Sequence, residues 1–163
     1  GDRKGVNGRM GPGMGLILWR HAEAEYGPPD LQRKLTGKGI RQARYSAAWL
    51  RERLPASYRV LASEALRSQQ TAQALTDRFE ISAAINPGCD ATALLQACQW
   101  PDSNQTLLVV GHQPSLGQAA ARLLAGVRQD WSIKKSAVWW FSQRTRDGAR
   151  QVVLQAVLWP DEA

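Results

Sequence analysis

The chain has few of the residues that build metal centres and disulfide frameworks. Its 163 residues include only two cysteines and two histidines. Cys89 and Cys98 have the spacing of neither a CxxC pair nor a zinc site, so we expect reduced thiols and no metal. No apolar run approaches the roughly 20 residues of a membrane-spanning helix, and no signal peptide is recognisable. The composition therefore predicts a cytoplasmic protein without a membrane partner.

Length and composition predict one compact domain. A hydrophobic content of 44% over 163 residues is enough for one sizeable core, and no interior linker divides the chain. Residues 1–13 contain five glycines and almost no apolar side chains, so we expect a disordered tail, in part a remnant of expression. We place the domain at 14–163. The oligomeric state is left open, with a monomer as the working expectation.

Apolar periodicity and turn residues predict strands that alternate with helices. The predicted strands cover 15–20, 58–62, 81–85, 105–110, 136–143 and 150–158, and the predicted helices cover 37–53, 65–78, 90–99 and 114–125. This alternation is typical of an α/β fold, here a three-layer α/β/α arrangement around a mostly parallel sheet. Asp147-Gly148 is a hairpin signal between the last two strands, so the sheet should be mixed.

The two histidines follow the two most apolar strands. The first strand leads directly into Arg20-His21, and the strand over 105–110 leads into Gly111-His112. Parallel strands open at their carboxyl ends into a crevice where ligands bind. Pro114 fits the first turn of the next helix, so His112 lies near a helix N-terminus, which favours anions.

A third strand end adds another cation. Ser63 follows the strand over 58–62, and Arg67 comes one helical turn later. A guanidinium can hold two oxygens of a phosphate, and a histidine beside it can attack the phosphorus. Residues of these types at three strand ends predict phosphoryl transfer.

The motifs also carry a family resemblance. They are Arg20-His21, then Ser63-x-x-x-Arg67-x-x-x-Thr71-Ala72, and then Gly111-His112-x-Pro114. In this order and spacing they resemble the histidine phosphatase superfamily, and the short chain is similar to its SixA-type phosphohistidine phosphatases. Leu35-Thr36-x-x-Gly39-x-x-Gln42 matches that group as well. The resemblance covers about Met14 to Trp159 and implies a phosphoglycerate mutase-like fold.

The resemblance implies a role for each matching residue. His21 would be the nucleophile that forms a phosphohistidine intermediate, which water then hydrolyses. Arg20, Arg67 and His112 would hold the phosphoryl oxygens and stabilise the transition state. Ser63 and Gln113 are further candidates for substrate binding. This chemistry requires no metal and no cofactor.

Two positions depart from the family's pattern. Ala22 stands where the family has glycine after the Arg-His pair. Gly88 stands where many relatives place a glutamate that acts as general acid, and the sequence does not decide among the other candidates, which are Asp90, Glu23 and Glu25. Imidazole leaves phosphohistidine without the proton donor that an alkoxide needs. The missing glutamate therefore favours a phosphorylated protein, carrying phosphohistidine, as the substrate.

Two other functions compete with this prediction. One is a phosphatase of a small phosphate monoester, such as a sugar or nucleotide phosphate, which would need one of those carboxylates as its acid. The other is a non-catalytic module that binds phosphoprotein or nucleic acid, suggested by a net charge of +7 and seven tryptophans. We expect no nucleic-acid partner, because scattered arginines on a helix usually form a solvated face. A strong salt dependence of binding to DNA or RNA would distinguish that module from an enzyme.

Overall fold

The computed structural model describes residues 15–160, and the predicted tail over 1–13 lies outside that range. Within this range, six strands and four helices alternate along the chain up to the last two strands, which are consecutive. Two short 3-10 helices lie at Asp30–Gln32 and Ala83–Ile85. The strands are β1 (Gly15–Arg20), β2 (Arg59–Ala62), β3 (Glu80–Ile81), β4 (Leu107–Gly111), β5 (Val138–Arg146) and β6 (Ala149–Leu158). The helices are α1 (Gly37–Arg53), α2 (Leu66–Gln73), α3 (Ala91–Ala97) and α4 (Ser115–Ala125).

All six strands form one sheet, in the order β3-β2-β4-β1-β5-β6. The pairs β2–β3, β2–β4 and β1–β4 are parallel. Strand β5 is antiparallel to both of its neighbours, β1 and β6. Among the described strands, β5 therefore runs against the other five, and the predicted mixed, mostly parallel sheet is confirmed.

The sheet is covered by helices on both faces. Leu16 and Leu18 of β1 pack with residues of α3 and α4, whereas Ile17 and Trp19 pack with residues of α1 and α2. All four side chains are buried. Because successive side chains of a strand point to opposite faces, a strand covered on both sides must be apolar throughout. The result is the predicted three-layer α/β/α architecture.

Helix α2 is shorter than the predicted helix over 65–78. It ends at Gln73, and the Thr76 hydroxyl accepts a hydrogen bond from the Arg78 amide at 3.0 Å. Threonine side chains that bond nearby backbone groups in this way compete with helical hydrogen bonds. The apolar spacing beyond Gln73 therefore does not continue as a helix.

The predicted strand over 81–85 forms only in its first part. Strand β3 ends at Ile81, and the Ser82 hydroxyl then accepts a hydrogen bond from the Ala84 amide, which caps the second 3-10 helix. The Ser82 amide still donates to the Ala62 carbonyl at 2.9 Å. The chain therefore leaves the sheet immediately after it has paired with β2.

The pairing of β1 with β4 brings the two histidines to the same edge of the sheet. Arg20 lies opposite Gly111 in the parallel register, and the His21 amide donates to the Gly111 carbonyl at 3.0 Å. The residues that follow, His21 and His112, therefore leave two adjacent central strands side by side. Within residues 15–160, no helix is both long enough and apolar enough to cross a bilayer.

A close approach between α1 and the loop after β1 requires glycine at position 39. The Thr36 hydroxyl caps α1 by accepting from the Gly39 amide, and the Thr36 amide donates to the Glu23 carbonyl at 3.0 Å. A Cβ on Gly39 would lie 2.0 Å from that carbonyl oxygen. The helix start and the loop that carries His21 are thus in backbone contact.

We predict that Gly39→Ala destabilises the protein by about 1–3 kcal/mol, because the added methyl overlaps a backbone atom that cannot rotate away. Gly37→Ala is the matched control, since a Cβ at Gly37 meets only the Arg41 side chain at 3.7 Å. It should change stability by less than about 1 kcal/mol. Urea unfolding followed by circular dichroism measures both variants. Equal stabilities for the two variants would contradict the close approach.

Candidate active site

A cavity of about 350 Å³ lies where β1 and β4 end. It is lined by Arg20, His21, Ala24, Tyr26, Arg33, Arg67, Pro87, His112, Gln113 and Lys135. Four of these ten residues are cations, and none is a carboxylate. The lining of the cavity therefore favours an anionic ligand.

His21 is buried and neutral in this cavity. Its Nδ1 lies 2.7 Å from the Ala22 carbonyl oxygen, which can only accept, so we assign the ring proton to Nδ1 and the free lone pair to Nε2. Burial lowers the pKa of His21 to about 4, and the positive charges of Arg67, Arg20 and Arg33 act in the same direction. A neutral imidazole with a free Nε2 is the form that can attack an electrophile.

His112 packs beside His21, with the ring centroids 5.1 Å apart. Its Nε2 lies 2.8 Å from the Ser63 hydroxyl and 3.1 Å from the Ser68 hydroxyl. Ser63 already accepts a hydrogen bond from the Ala65 amide and can turn its own proton toward Nε2, so we assign the ring proton of His112 to Nδ1. Burial, followed by the neighbouring His21 and Arg67, lowers the pKa of His112 to about 3.

Arg20 is fixed by the segment that enters β5. Its Nη1 donates to the Ile133 carbonyl at 2.9 Å. Its backbone amide donates to the Ala137 carbonyl, and its carbonyl accepts from the Ser136 amide. The guanidinium therefore keeps a defined position although it lies at the end of a strand.

Arg67 is 3% exposed and is held by one aspartate. Its Nη1 donates to the Asp30 carbonyl at 2.8 Å, and its Nη2 donates to the Asp30 carboxylate at 3.1 Å. The same carboxylate accepts from Arg33 at 3.2 Å. Desolvation acts to raise the pKa of Asp30, but the hydrogen bonds from Arg67 and Arg33 outweigh it and leave that pKa lowered. Asp30 is therefore an ionised bridge between two arginines of the cavity.

The cavity brings together N–H groups that have no partner in the protein. Across residues 15–160, the buried side-chain atoms without a hydrogen bond are Arg20 Nε, Arg67 Nε, His112 Nδ1 and Gln143 Oε1. The first three belong to side chains that line the cavity. Buried donors are costly to leave unpaired, and a tetrahedral oxyanion offers several acceptors at once. The donor set matches the chemistry of a phosphoryl group.

Of the two further candidates for substrate binding, Gln113 lines the cavity and Ser63 does not. Ser63 does not line the cavity and instead contacts the far nitrogen of His112. Gln113 lines the cavity, but its side chain donates to the Trp131 carbonyl and accepts from the Gly117 amide, both at 2.8 Å. Both side chains hold the surrounding structure in place.

None of the three candidate general acids lines the cavity. The Glu23 carboxylate accepts from the Thr36 hydroxyl at 2.8 Å, and Asp90 caps α3 by accepting from the Ala93 amide. Glu25 is exposed. In the described part of the chain, no three His, Cys, Asp or Glu side chains gather as metal ligands.

The two departures from the family's pattern are accommodated by the local structure. Ala22 is fully buried and packs with Ala24, Leu35 and Ala43, so its methyl group belongs to a small apolar cluster and not to the cavity lining. Gly88 has a φ of +94° and follows the cavity-lining Pro87, and a Cβ there would meet nothing within 4 Å. The turn at Gly88 thus carries no acid and leaves space beside the cavity.

Several residues at the site were not singled out by the sequence. Asp30, Arg33 and Lys135 are charged surface residues by type, and Tyr26 lies in a turn. Hydrogen bonds from Arg67 to Asp30 join the 3-10 helix over Asp30–Gln32 to α2. Asp30 and Arg67 are far apart in the sequence, so no pattern of neighbouring residues predicts their contact. Only information that links distant positions could have predicted it.

Comparison with known proteins finds a family model and relatives that match this chain. A model of the histidine phosphatase superfamily (branch 1) matches residues 16–90. An uncharacterized protein of Mycobacterium tuberculosis is 35% identical over 112 residues, which cover 66% of this chain and 70% of that protein. The phosphohistidine phosphatase SixA of Escherichia coli is 30% identical over 122 residues, which cover 69% of this chain and 76% of SixA.

The fold of the chain is also similar to that of a solved structure. A solved structure of the protein histidine phosphatase SixA complexed with tungstate superposes with a TM-score of 0.74 at 24% identity, covering 90% of this chain and 97% of that one. The six-stranded sheet and its helices thus define a phosphoglycerate mutase-like α/β protein with a two-histidine cavity. The chain belongs to the histidine phosphatase superfamily. Its family places it among the histidine-based phosphatases.

We predict that stability falls as the pH is lowered from about 6.5, because His21 titrates near 6.5 when unfolded and near 4 when folded. The unfolded state then binds more protons, so protonation favours unfolding. His21→Asn should reduce the slope of unfolding free energy against pH by up to about 1.4 kcal/mol per pH unit. Urea titrations between about pH 5 and 6.5, above the range of most carboxylates, measure that slope. Identical slopes for the two proteins would contradict a buried neutral His21.

Proposed function

We propose that this chain hydrolyses phosphohistidine on a protein, through a phosphohistidine formed on its own His21. The observation that carries the proposal is the set of buried, unpaired donors on Arg20, Arg67 and His112 around one cavity. The E. coli relative is named a phosphohistidine phosphatase, which supports the same substrate class. We therefore assign His21, Arg20, Arg67 and His112 to the catalytic site.

In the first step, His21 Nε2 attacks the phosphorus of the substrate. The substrate reacts in the form that carries a proton on the other nitrogen of its ring. The Nε2–P bond forms as the P–N bond to that ring breaks, the electron pair of the P–N bond goes to the ring nitrogen, and the ring leaves as neutral imidazole. Nδ1 of His21 keeps its proton and donates a hydrogen bond to the Ala22 carbonyl. This bond holds the ring in the orientation and tautomer that attack requires. The low pKa of His21 keeps Nε2 unprotonated at neutral pH.

The three donors act on the charge of the phosphoryl group. Arg20 and Arg67 supply permanent positive charge, and His112 donates from Nδ1 while Ser63 and Ser68 hold its other nitrogen. Donors fixed in advance cost no reorganisation during the reaction, and the loss of one such donor typically costs about 10²–10³-fold in rate. In the second step, water attacks phosphohistidine and releases inorganic phosphate and neutral His21.

Among the described residues, the cavity lining provides no carboxylic acid for the leaving group. Asp90, Glu23 and Glu25 lie outside its lining, and the turn at Gly88 carries no side chain. An alkoxide leaving group needs a positioned acid, worth about 10²–10⁴-fold, whereas an imidazole leaves more easily. This difference supports phosphohistidine over a phosphate ester.

A small phosphate monoester is the second candidate. A volume of about 350 Å³ lies within the range of small-molecule sites, so a sugar or nucleotide phosphate of modest size would fit. Such a substrate would have to leave without an acid from the cavity lining. We therefore rank it below phosphohistidine.

We predict that His21→Ala lowers turnover of every phosphorylated substrate by at least about 10³-fold, because the attacking atom is lost. Rapid quenching of the wild-type reaction at high pH should trap acid-labile phosphate, and mass spectrometry should locate it on His21. A thermal unfolding curve shows whether the variant is folded. Full activity of folded His21→Ala would overturn the mechanism.

We also predict that the wild type hydrolyses a phosphohistidine-bearing protein at least about tenfold faster, in kcat/KM, than any member of a panel of sugar and nucleotide monophosphates. The reason is the absence of a carboxylic acid from the cavity. Release of inorganic phosphate measures both substrate types under the same conditions. Equal or faster hydrolysis of an ester would favour the second candidate.

Three conservative variants serve as controls for that comparison. Glu23→Gln, Glu25→Gln and Asp90→Asn keep the size of each side chain and remove its acid. Each should change kcat on phosphohistidine by less than about threefold, against the 10²–10⁴-fold expected for a general acid. A larger loss in one variant, confined to esters, would identify that residue as the acid.

A further inference from the structure

We propose that Lys135 binds an acidic side chain that flanks the phosphohistidine, so that the substrate is an acidic segment of a protein. The inference rests on the proposed phosphohistidine phosphatase activity and adds a determinant of substrate choice. It starts from a cation in the cavity wall that neither the fold nor the phosphoryl site uses.

Lys135 is the cavity-lining cation that has no partner within residues 15–160. Arg20 donates to the Ile133 carbonyl, whereas Arg33 and Arg67 share the carboxylate of Asp30. Lys135 is half-buried and lines the same cavity, but the described part of the chain gives its ammonium no hydrogen bond and no ion pair. The ammonium is therefore available to a group that enters from outside.

The backbone that carries Lys135 is firmly held. On one side of it, the Ile133 carbonyl accepts from the Arg20 side chain at 2.9 Å. On the other side, the Ser136 amide donates to the Arg20 carbonyl at 3.0 Å, and the Ala137 carbonyl accepts from the Arg20 amide at 3.1 Å. The segment is thus attached to the catalytic Arg20 from both directions. The backbone of Lys135 is therefore held in a fixed position beside the phosphoryl site.

The charge of the cavity exceeds what one phosphoryl group requires. Arg20, Arg67 and His112 already provide the donors for its oxygens. Within residues 15–160, no carboxylate lines the cavity to balance Lys135. A carboxylate of the substrate would supply that balance. A cation placed at the side of a site in this way gives specificity and a faster encounter more than it gives affinity.

The entrance of the cavity fits a protein segment better than a small molecule. Tyr26 lines the cavity and is 90% exposed, and Leu31, on the adjoining 3-10 helix, is 42% exposed. Tyrosine is enriched in surfaces that contact other proteins. A small ligand inside the cavity would leave most of this surface uncovered.

The test uses two peptides that carry phosphohistidine and differ only in the flanking residues, Asp and Glu in one and Asn and Gln in the other. For each enzyme variant, the ratio of kcat/KM for the acidic peptide to that for the neutral peptide is measured by phosphate release. Wild type should prefer the acidic peptide by about threefold to tenfold. This preference lies between the effect of an exposed ion pair and that of a buried hydrogen bond to a charged group. In Lys135→Met the ratio should fall to about one.

Lys134→Met is the matched control. Lys134 is the preceding residue, is exposed and lies over the Trp159 ring, 5.6 Å from its centroid, so it does not line the cavity. The two variants make the same change in net charge, so the ratio for Lys134→Met should stay at the wild-type value. Lys135→Arg should keep most of the preference, and added salt should reduce the preference in wild type because the contact is electrostatic.

Several outcomes overturn the inference. They are a wild-type ratio near one, an unchanged ratio in Lys135→Met, and an equal fall in both lysine variants. Phosphoserine is a small ester with its own carboxylate. If Lys135→Met lowers kcat/KM only for phosphoserine, Lys135 binds a small substrate instead.

Binding of the same peptides to His21→Ala separates this inference from the proposed function. If neither peptide is hydrolysed by wild type, the proposed activity fails. Tighter binding of the acidic peptide that depends on Lys135, measured by fluorescence anisotropy, would then still support the acidic subsite. Equal binding of the two peptides would overturn it.

Discussion

The parallel pairing of β1 with β4 is the constraint on which the site depends. Its register sets Arg20 opposite Gly111, so each central strand delivers a histidine at the same level of the sheet. The two rings then lie 5.1 Å apart, in a cavity that neither strand could form alone. Because alternate residues of β1 are buried on opposite faces, a shift of one residue would bury the wrong side chains, and the cores on both faces protect the register.

Around this register, the protein keeps two histidines neutral among fixed cations. Burial is the main reason for the low pKa of both rings, and the neighbouring guanidiniums add to it. The backbone carbonyl of Ala22 and the hydroxyls of Ser63 and Ser68 fix which ring nitrogen faces which partner. As a result, His21 Nε2 is free to attack, and it lies beside hydrogen-bond donors that have no partner in the protein. Phosphoryl transfer requires both a positioned nucleophile and donors for the phosphoryl oxygens.

Most of the fold could be predicted because the signals are local. The apolar run of β1, the helical spacing of α1 and the Asp147-Gly148 turn each depend on neighbouring residues, and all three elements form as predicted. The predicted strand over 136–143 is displaced and forms as β5 at Val138–Arg146. Two other differences lie where a side chain bonds to the backbone. The Thr76 hydroxyl accepts from the Arg78 amide beyond the end of α2, and the Ser82 hydroxyl caps a 3-10 helix where the predicted strand would continue, because such hydroxyls offer the backbone an alternative hydrogen bond.

By itself, the sequence determined the strand and helix order, the Arg-His pair at a strand end and the second histidine at another, because each is a property of adjacent residues. The tertiary structure alone decided that Asp30 holds Arg67, that Ser63 lies behind His112 and that Lys135 joins the cavity wall. It also decided that Asp90, Glu23 and Glu25 do not line the cavity. These contacts join segments far apart in the chain, and their geometry follows from how the helices and loops pack on the sheet.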